Sequence, residues 1–183
     1  MWISWIGALL CWTVNTTRHT PEPDMGHNEP VNIARISGPS APVRRQSWVN
    51  TDNLDSLTYS FPGQDGTPHT GWAIYAEPVD PKNPLGAMRQ VGDSDEGFSC
   101  VDDVARIALV YLDRFEKTHD PKMGQRATEA VRFCLNLQDG AGHFYNFVEH
   151  DGTINRGGPT SKPGLNWWTA RAFWALSRAE RVL

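Results

Sequence analysis

Two adjacent carboxylates, Asp102 and Asp103, are the residues whose type and spacing point most directly to chemistry in this 183-residue sequence. They open a helical pattern, in which consecutive side chains point about 100° apart, so one carboxylate can face a ligand while the other holds structure. Glu149 supplies a third acid further along the chain. Cleavage of a glycosidic bond needs two carboxyl groups, one on each side of the bond. The candidate catalytic residues are therefore Asp102, Asp103 and Glu149.

A structural role for the adjacent pair stays open as the alternative. The helix dipole favours acids in a first helical turn. Arg106 follows Asp102 by four residues and Asp103 by three, which is the spacing of a local ion pair. The pair therefore has two interpretations, one catalytic and one structural.

Polar and aromatic side chains that suit a sugar ligand lie near these acids in the sequence. Trp167 is the candidate stacking platform, because the apolar face of a pyranose ring lies well on an aromatic plane. Solvation of a loop acid and ordinary core packing of a tryptophan are the alternatives. Trp168, Cys100 and Cys134 fall at helical positions that predict burial. The candidate ligand-binding residues are Glu96, His143, Tyr145, Asn146, Arg156 and Trp167.

The sequence predicts neither a bound metal ion nor another cofactor. Its three cysteines are far apart, which argues against a four-ligand zinc site and a disulfide scaffold. Asp93 and Asp95 could offer oxygen ligands to calcium, but the full EF-hand pattern with its closing acid is absent. Nucleotide-binding and serine-hydrolase motifs are absent from the sequence as well.

Three helical patterns must position these residues. Apolar residues recur at steps of three and four from Val101 to Phe115, from Pro121 to Gln138 and from about Leu165 onward. The first pattern is apolar nearly all round, which is typical of a helix packed on more than one side. Between the second and third patterns, alternation over 143–148 and the turn signal Asp151-Gly152 predict a short hairpin or extended loop.

A small β-hairpin is predicted upstream of the helices. Alternating residues over Leu57–Phe61 and Trp72–Ala76 indicate its two strands, joined by a long connection, and a Pro-rich loop follows. Because helical patterns occupy most of the region after this hairpin, the predicted fold class is mainly α.

Composition excludes one broad class of partner. At 39% apolar the chain has enough side chains to line one core. Its net charge of -4, with 21% of residues charged, gives no basic surface for nucleic acid, so a neutral or weakly polar ligand is expected.

The sequence divides into an apolar N-terminus (1–17), a Pro-rich linker (18–50) and a helical domain (51–183). The run from Met1 to Val14 has about the length of a signal-peptide core and is too short for a stable membrane span. No basic residue precedes it, so two alternatives remain: an export signal, with a periplasmic or extracellular protein, and a misassigned start, with a cytoplasmic one. The helical pattern still runs at Leu183, which predicts a chain truncated at its C-terminus.

Four sequence blocks together resemble the opening of a six-hairpin glycosidase-like domain. The similarity is to uncharacterised bacterial members of that superfamily and to helical domains attached to some bacterial glycosyltransferases. It implies an (α/α)6 toroid around a central funnel, of which residues 51–183 would form an incomplete N-terminal part. The blocks are GFSCVDDVAR (97–106), GHFYNF (142–147), TINR (153–156) and WWTARAFWAL (167–176).

The resemblance and the acids together predict a carbohydrate-active protein. It would act on an oligosaccharide or polysaccharide by carboxylate acid–base catalysis, as a glycosidase-like hydrolase. Two alternatives stay open. One is a carbohydrate-binding or glycosyltransferase-accessory helical domain without turnover. The other is an inactive fragment, since a partial toroid exposes the apolar flanks of its terminal helices.

Overall fold

The computed structural model describes residues 51–84, 86–92 and 95–183. The apolar N-terminus, the Pro-rich linker and Asp93 lie outside these residues. Helices account for 42% of the described structure and strands for 20%, which agrees with a mainly α class. None of the described helices is long and apolar enough to cross a membrane.

The described residues form four helices and three two-stranded antiparallel sheets. The helices are α1 (Asp52–Ser56), α2 (Val101–Thr118), α3 (Pro121–Asn136) and α4 (Trp167–Val182). The strands are β1 (Thr58–Pro62), β2 (Pro68–Trp72), β3 (Tyr75–Pro78), β4 (Met88–Val91), β5 (Ser99–Cys100) and β6 (Phe147–Val148). Strand β1 pairs with β2, β3 with β4, and β5 with β6.

Each of the three long helices begins after a residue whose side chain accepts a hydrogen bond from the first-turn backbone. Pro121 occupies the first position of α3, where its missing N–H costs nothing. Helix α2 ends at Thr118, and the next residue, His119, has a left-handed φ of 53° that turns the chain toward α3. The capping residues are Cys100 for α2, Asp120 for α3 and Asn166 for α4.

Helix α2 is the centre of the core. It packs against both α3 and α4, which confirms the prediction that a helix apolar nearly all round is covered on more than one side. Its fully buried residues include Val104, Ala108, Tyr111 and Leu112. The positions of Asp102 and Asp103 in the first turn of α2 follow the predicted pattern.

The N-terminal hairpin differs from the predicted one. Its second strand was expected at Trp72–Ala76, but β2 ends at Trp72, which lies opposite Thr58. Residues 72–74 are all buried, because the chain passes through the core there instead of along a sheet with one exposed face. Strand β3 then pairs with β4, although the prolines of this part of the sequence predict a loop.

The short hairpin predicted before the last helix is present. Strand β6 pairs with β5, and a bridge joins Val148 to Ile154. Gly152 closes the turn with a φ of 89°, and a Cβ there would lie 2.3 Å from the carbonyl oxygen of Pro62. Only glycine fits this approach, so the turn packs directly against the end of β1.

Asp55 of α1 ties the N-terminal segment to two helices. Its Oδ1 atom accepts hydrogen bonds from the Tyr111 hydroxyl (2.8 Å) and the Arg126 Nε (3.1 Å). The Lys122 ammonium lies 2.7 Å from Oδ2. Burial opposes ionisation of Asp55, but the hydrogen bonds from Lys122 and Tyr111 and the charge of Arg126 outweigh it, so the pKa of Asp55 is lowered.

We predict that Asp55→Asn destabilises the protein by about 2 kcal/mol at pH 7, because it removes ion pairs with Lys122 and Arg126 and leaves Arg126 paired with Glu129 alone. Folding lowers the pKa of Asp55 below its ordinary value of 3.8. Its stabilising contribution is therefore complete above that pH and is lost as pH falls through the lower, folded-state pKa. Urea unfolding at pH 7 and at pH 2 to 3 measures both effects, and the difference from wild type should shrink at acid pH.

The control for this prediction is Asp113→Asn. Asp113 forms an exposed ion pair with Lys117 at 2.7 Å, so its loss should cost less than about 1 kcal/mol. Equal losses for the two variants, or a loss at Asp55 that does not depend on pH, would contradict the assignment.

Candidate functional site

A cleft of about 470 Å³ lies at the N-terminal ends of α2 and α4. We call it the Asp102 cleft. It contains two carboxylates, one guanidinium and two indole rings. The described residues that line it are Glu96, Asp102, Asn146, Phe147, Thr160, Trp167, Trp168 and Arg171.

Asp102 is held between two arginines. Its Oδ2 accepts a hydrogen bond from Arg106 Nη2 at 2.5 Å, within α2. Its Oδ1 accepts one from Arg171 Nη1 of α4. The carboxylate thus joins two helices and also faces the cleft. Asp102 therefore forms the predicted ion pair and is in a position to contact a ligand.

Asp103 lies beneath the first turn of α2 and is not among the described residues that line the cleft. It is buried, with Oδ1 3.1 Å from Arg106 Nη2 and Oδ2 3.5 Å from the Cys100 thiol. Burial, followed by the charge of Asp103, raises the pKa of Cys100 well above its ordinary value, so the sulfur stays a thiol that donates to the carboxylate. These contacts are structural.

Arg106 balances the two acids of this turn. Burial disfavours the charged guanidinium, but the charges of Asp103 and Asp102 more than compensate, and the pKa of Arg106 is raised. The ion pair expected from the spacing in the sequence is therefore present with both acids.

Asn146 fastens the loop before α4 to the start of α2. It is only 5% exposed. Its Oδ1 accepts the backbone N–H of Asp102 (3.0 Å), and its carbonyl accepts that of Val101 (2.8 Å). Its Nδ2 donates to the Thr160 carbonyl at 3.2 Å. Asn146 borders the cleft, but its hydrogen bonds are made to backbone groups that form the wall of the cleft.

Glu96 supplies the second carboxylate of the Asp102 cleft. The Tyr75 hydroxyl of β3 donates to its Oε2. Asn155 Nδ2 donates to the Glu96 carbonyl at 2.8 Å, which fixes the loop that carries the side chain. The sequence marks Glu96 as a candidate ligand contact and places Asn155 in the TINR block, but nothing local marks Tyr75.

The two tryptophans at the start of α4 have different environments. Trp167 is 77% exposed at the edge of the cleft. Trp168 is partly buried, and its Nε1 donates to the Phe144 carbonyl at 2.8 Å. Arg171 follows Trp167 by one helical turn, and this spacing could have identified it from the sequence. Trp167 thus offers an accessible ring, whereas Trp168 is tied into the core.

His143, Tyr145 and Arg156 lie outside the described lining of the cleft. The Arg156 guanidinium sits 4.6 Å from the centre of the Tyr145 ring, and its Nη2 contacts Gln64 Oε1 at 3.4 Å. The His143 backbone N–H donates to Asp139 in a tight turn. Tyr145 and Arg156 therefore belong to a neighbouring surface beside the β1–β2 loop, and His143 lies in the turn that begins at Asp139.

Glu149 is also not among the described residues that line the cleft. It lies in the hairpin that packs against β1, next to His150, whose ring stacks on Tyr59 at 5.1 Å. Burial and the charge of Asp151 raise the pKa of Glu149. The structure brings Asp102 together with Glu96, and it does not bring Glu149 to the same cleft.

A larger cavity of about 720 Å³ lies between the β1–β2 loop and α3. Its acids are engaged locally: Asp65 accepts from Thr67, and Glu129 from Arg126. It contains none of the candidate residues, so the Asp102 cleft is the stronger functional candidate. No group of three or more His, Cys, Asp or Glu side chains suited to a metal ion occurs in the described part of the chain.

Compared with known proteins, the chain matches no family model and no curated protein. Function is therefore inferred from the geometry and chemistry of the Asp102 cleft.

We predict that Asn146→Ala lowers the free energy of unfolding by about 2 kcal/mol, because it removes a buried side chain that holds the partly buried N–H of Asp102 and the Thr160 carbonyl. Chemical denaturation followed by circular dichroism measures the change. Asn83→Ala, at an exposed loop position, is the matched control and should shift stability by less than about 0.5 kcal/mol. A loss at Asn146 no larger than at Asn83 would contradict the role described above.

Proposed function

We propose that the protein binds a carbohydrate in the Asp102 cleft and acts on a glycosidic bond there. One observation carries the proposal: the exposed ring of Trp167 shares a cleft with two carboxylates, Glu96 and Asp102. An aromatic platform beside paired acids suits a sugar ring, which has an apolar face and a polar edge of hydroxyls. The modest overall charge fits a neutral ligand.

In this proposal three residues have different roles. Trp167 stacks on the sugar ring. Glu96, with the Tyr75 hydroxyl on its Oε2, is the acid–base group: it gives a proton to the leaving oxygen and takes one back from the water that adds to the sugar. Asp102 remains paired with Arg106 and Arg171, and its charge faces the positive character that develops at the sugar ring in the transition state.

Binding without turnover is the second candidate. It is favoured by the arginine contacts, which occupy both carboxylate oxygens of Asp102. An acid engaged in this way serves as a fixed hydrogen-bond acceptor for sugar hydroxyls more readily than as a nucleophile, because attack would require loss of an ion pair.

The toroidal fold belongs to the same proposal. We infer that α2 and α3 are the inner and outer helices of a first hairpin and that α4 is the next inner helix. The packing of α2 between α3 and α4 supports this arrangement. So does the position of the cleft, which lies where the N-terminal ends of α2 and α4 come together.

The test combines binding and turnover on a panel of neutral oligosaccharides, including gluco-, xylo-, manno- and chito-oligomers. Trp167→Ala is expected to weaken binding at least about tenfold, because the stacking surface is lost. Glu96→Gln is expected to lower turnover by about 10²- to 10⁴-fold while binding changes less than about threefold. Calorimetry and reducing-end release measure the two properties.

Trp174→Ala is the matched control, since it removes an exposed tryptophan from the same helix that does not line the Asp102 cleft. It should leave binding unchanged. Binding without hydrolysis by the wild-type chain supports the second candidate. Failure of every oligosaccharide to bind, or equal losses at Trp167 and Trp174, would overturn the carbohydrate proposal.

A further inference from the structure

Helix α4 carries an exposed aromatic face in addition to the Asp102 cleft. Trp167 is 77% exposed, Trp174 62% and Phe173 47%, and the preceding Leu165 is 93% exposed. The opposite face of α4, with Ala172, Ala175 and Ala179, is buried against the core. Large apolar side chains concentrated on one helix face mark an interaction surface.

The outer face of α4 alternates large and small residues. Trp167, Ala170, Trp174, Ser177 and Arg181 follow one another at steps of three and four, which is the spacing of a helix–helix seam. All five are exposed. A bulky side chain next to a small one along such a seam forms a knob beside a hole, so the pattern suits a partner helix with the same alternation.

We propose that a second copy of this chain covers this face through an antiparallel pairing of α4 with α4. One antiparallel register sets Trp174 opposite Ala170 of the second copy. Three residues after Trp174 in the first copy is Ser177, and three residues before Ala170 in the second copy is Trp167. The same register therefore sets Ser177 opposite Trp167. Each of the two tryptophans in the seam then lies opposite a small residue. A parallel pairing would set each tryptophan against its own copy and overfill the seam.

A groove is already present where the partner's tryptophan would insert. It has a volume of about 600 Å³, and its lining is mostly apolar. Ala170 lies between Trp167 and Phe173 along this lining, so its small side chain leaves room for an indole ring. The described residues that line the groove are Leu165, Asn166, Trp167, Thr169, Ala170 and Phe173.

Electrostatics also permits the pairing. Two of the charged side chains near the seam are used within the chain, since Arg171 donates to Asp102 and Arg178 to Glu116, and Arg181 lies beyond both tryptophans. No like charges therefore meet between the tryptophans. The antiparallel arrangement also sets the positive end of each helix dipole beside the negative end of the other.

The area is sufficient for a dimer of moderate affinity. With about 150 to 250 Å² for a whole aromatic side chain, the exposed aromatic and leucine surfaces amount to roughly 500 Å² per copy. Two copies would bury about 1,000 Å², the lower limit for a specific interface. This inference goes beyond the proposed function, because the seam centres on Ala170 and Trp174, which do not line the Asp102 cleft.

The experiment is sedimentation equilibrium of the 183-residue chain from about 1 to 200 µM. Wild type is expected to form dimers and no larger species. Trp174→Ala removes the knob, and Ala170→Trp fills the hole, so each should raise the dimer dissociation constant at least about tenfold. The double variant Ala170→Trp/Trp174→Ala exchanges knob and hole and should return the constant to within about threefold of wild type.

Circular dichroism checks that each variant keeps its helix content, which is expected because both positions are exposed. A wild-type monomer at 200 µM would overturn the proposal, whether the face is then bare or covered by the chain's own apolar residues 1–14. Growth beyond dimers, or failure of the exchanged variant to recover, would also overturn it. Oligosaccharide binding by Trp174→Ala tests the Asp102 cleft separately, so the failure of one proposal is distinguishable from that of the other.

Discussion

The ionic contacts of Asp102 and Asp103 with Arg106 are the interactions on which the centre of this structure depends. Helix α2 begins inside the molecule, where α3 and α4 pack on either side of it. A helix that starts in such a place brings backbone N–H groups and acids out of water, and both need partners. Arg106 compensates the two acids, and Cys100 and Asn146 accept the N–H groups of the first turn.

The same interactions create the Asp102 cleft. Arg171 reaches from α4 to Asp102, so the start of α4 is held near the start of α2. Asn146 binds the intervening loop to that turn. Trp167 precedes Arg171 by one turn and is therefore brought to the edge of the cleft. A contact that stabilises the packing of two helices thus also positions an aromatic ring beside a carboxylate.

Much of the helical structure could be predicted from the sequence because its causes are local. Apolar periodicity marked α2 and α3, and Pro121 marked the beginning of α3. Burial of Cys134 followed from its place on the apolar face of α3. Cys100 is buried as predicted, but it lies in β5 and caps α2 instead of lying on a helix face. The β3–β4 pairing was not predictable, since three consecutive buried residues precede it and prolines surround it.

The partner of Asp102 in the cleft could not be predicted for a different reason. Glu149 lies between two of the sequence blocks, on a predicted hairpin or loop, whereas the position of Glu96 depends on Tyr75, 21 residues away, and on Asn155, 59 residues away. The contact between Arg171 and Asp102 spans 69 residues. Local patterns identify which side chains could do chemistry, but only the packing of distant segments decides which of them share a cleft.

Helix α4 shows how one element serves two surfaces. Arg171 and Trp174 are three residues apart, about 300° around the helix. Arg171 is drawn inward by the charge of Asp102, and Trp174 remains exposed. Trp167 lines both the Asp102 cleft and the groove beside Ala170. Because this ring is common to both, substitution of Trp167 is expected to affect both surfaces, whereas Trp174 is not among the described residues that line the cleft or the groove and can be changed without removing the platform for a sugar.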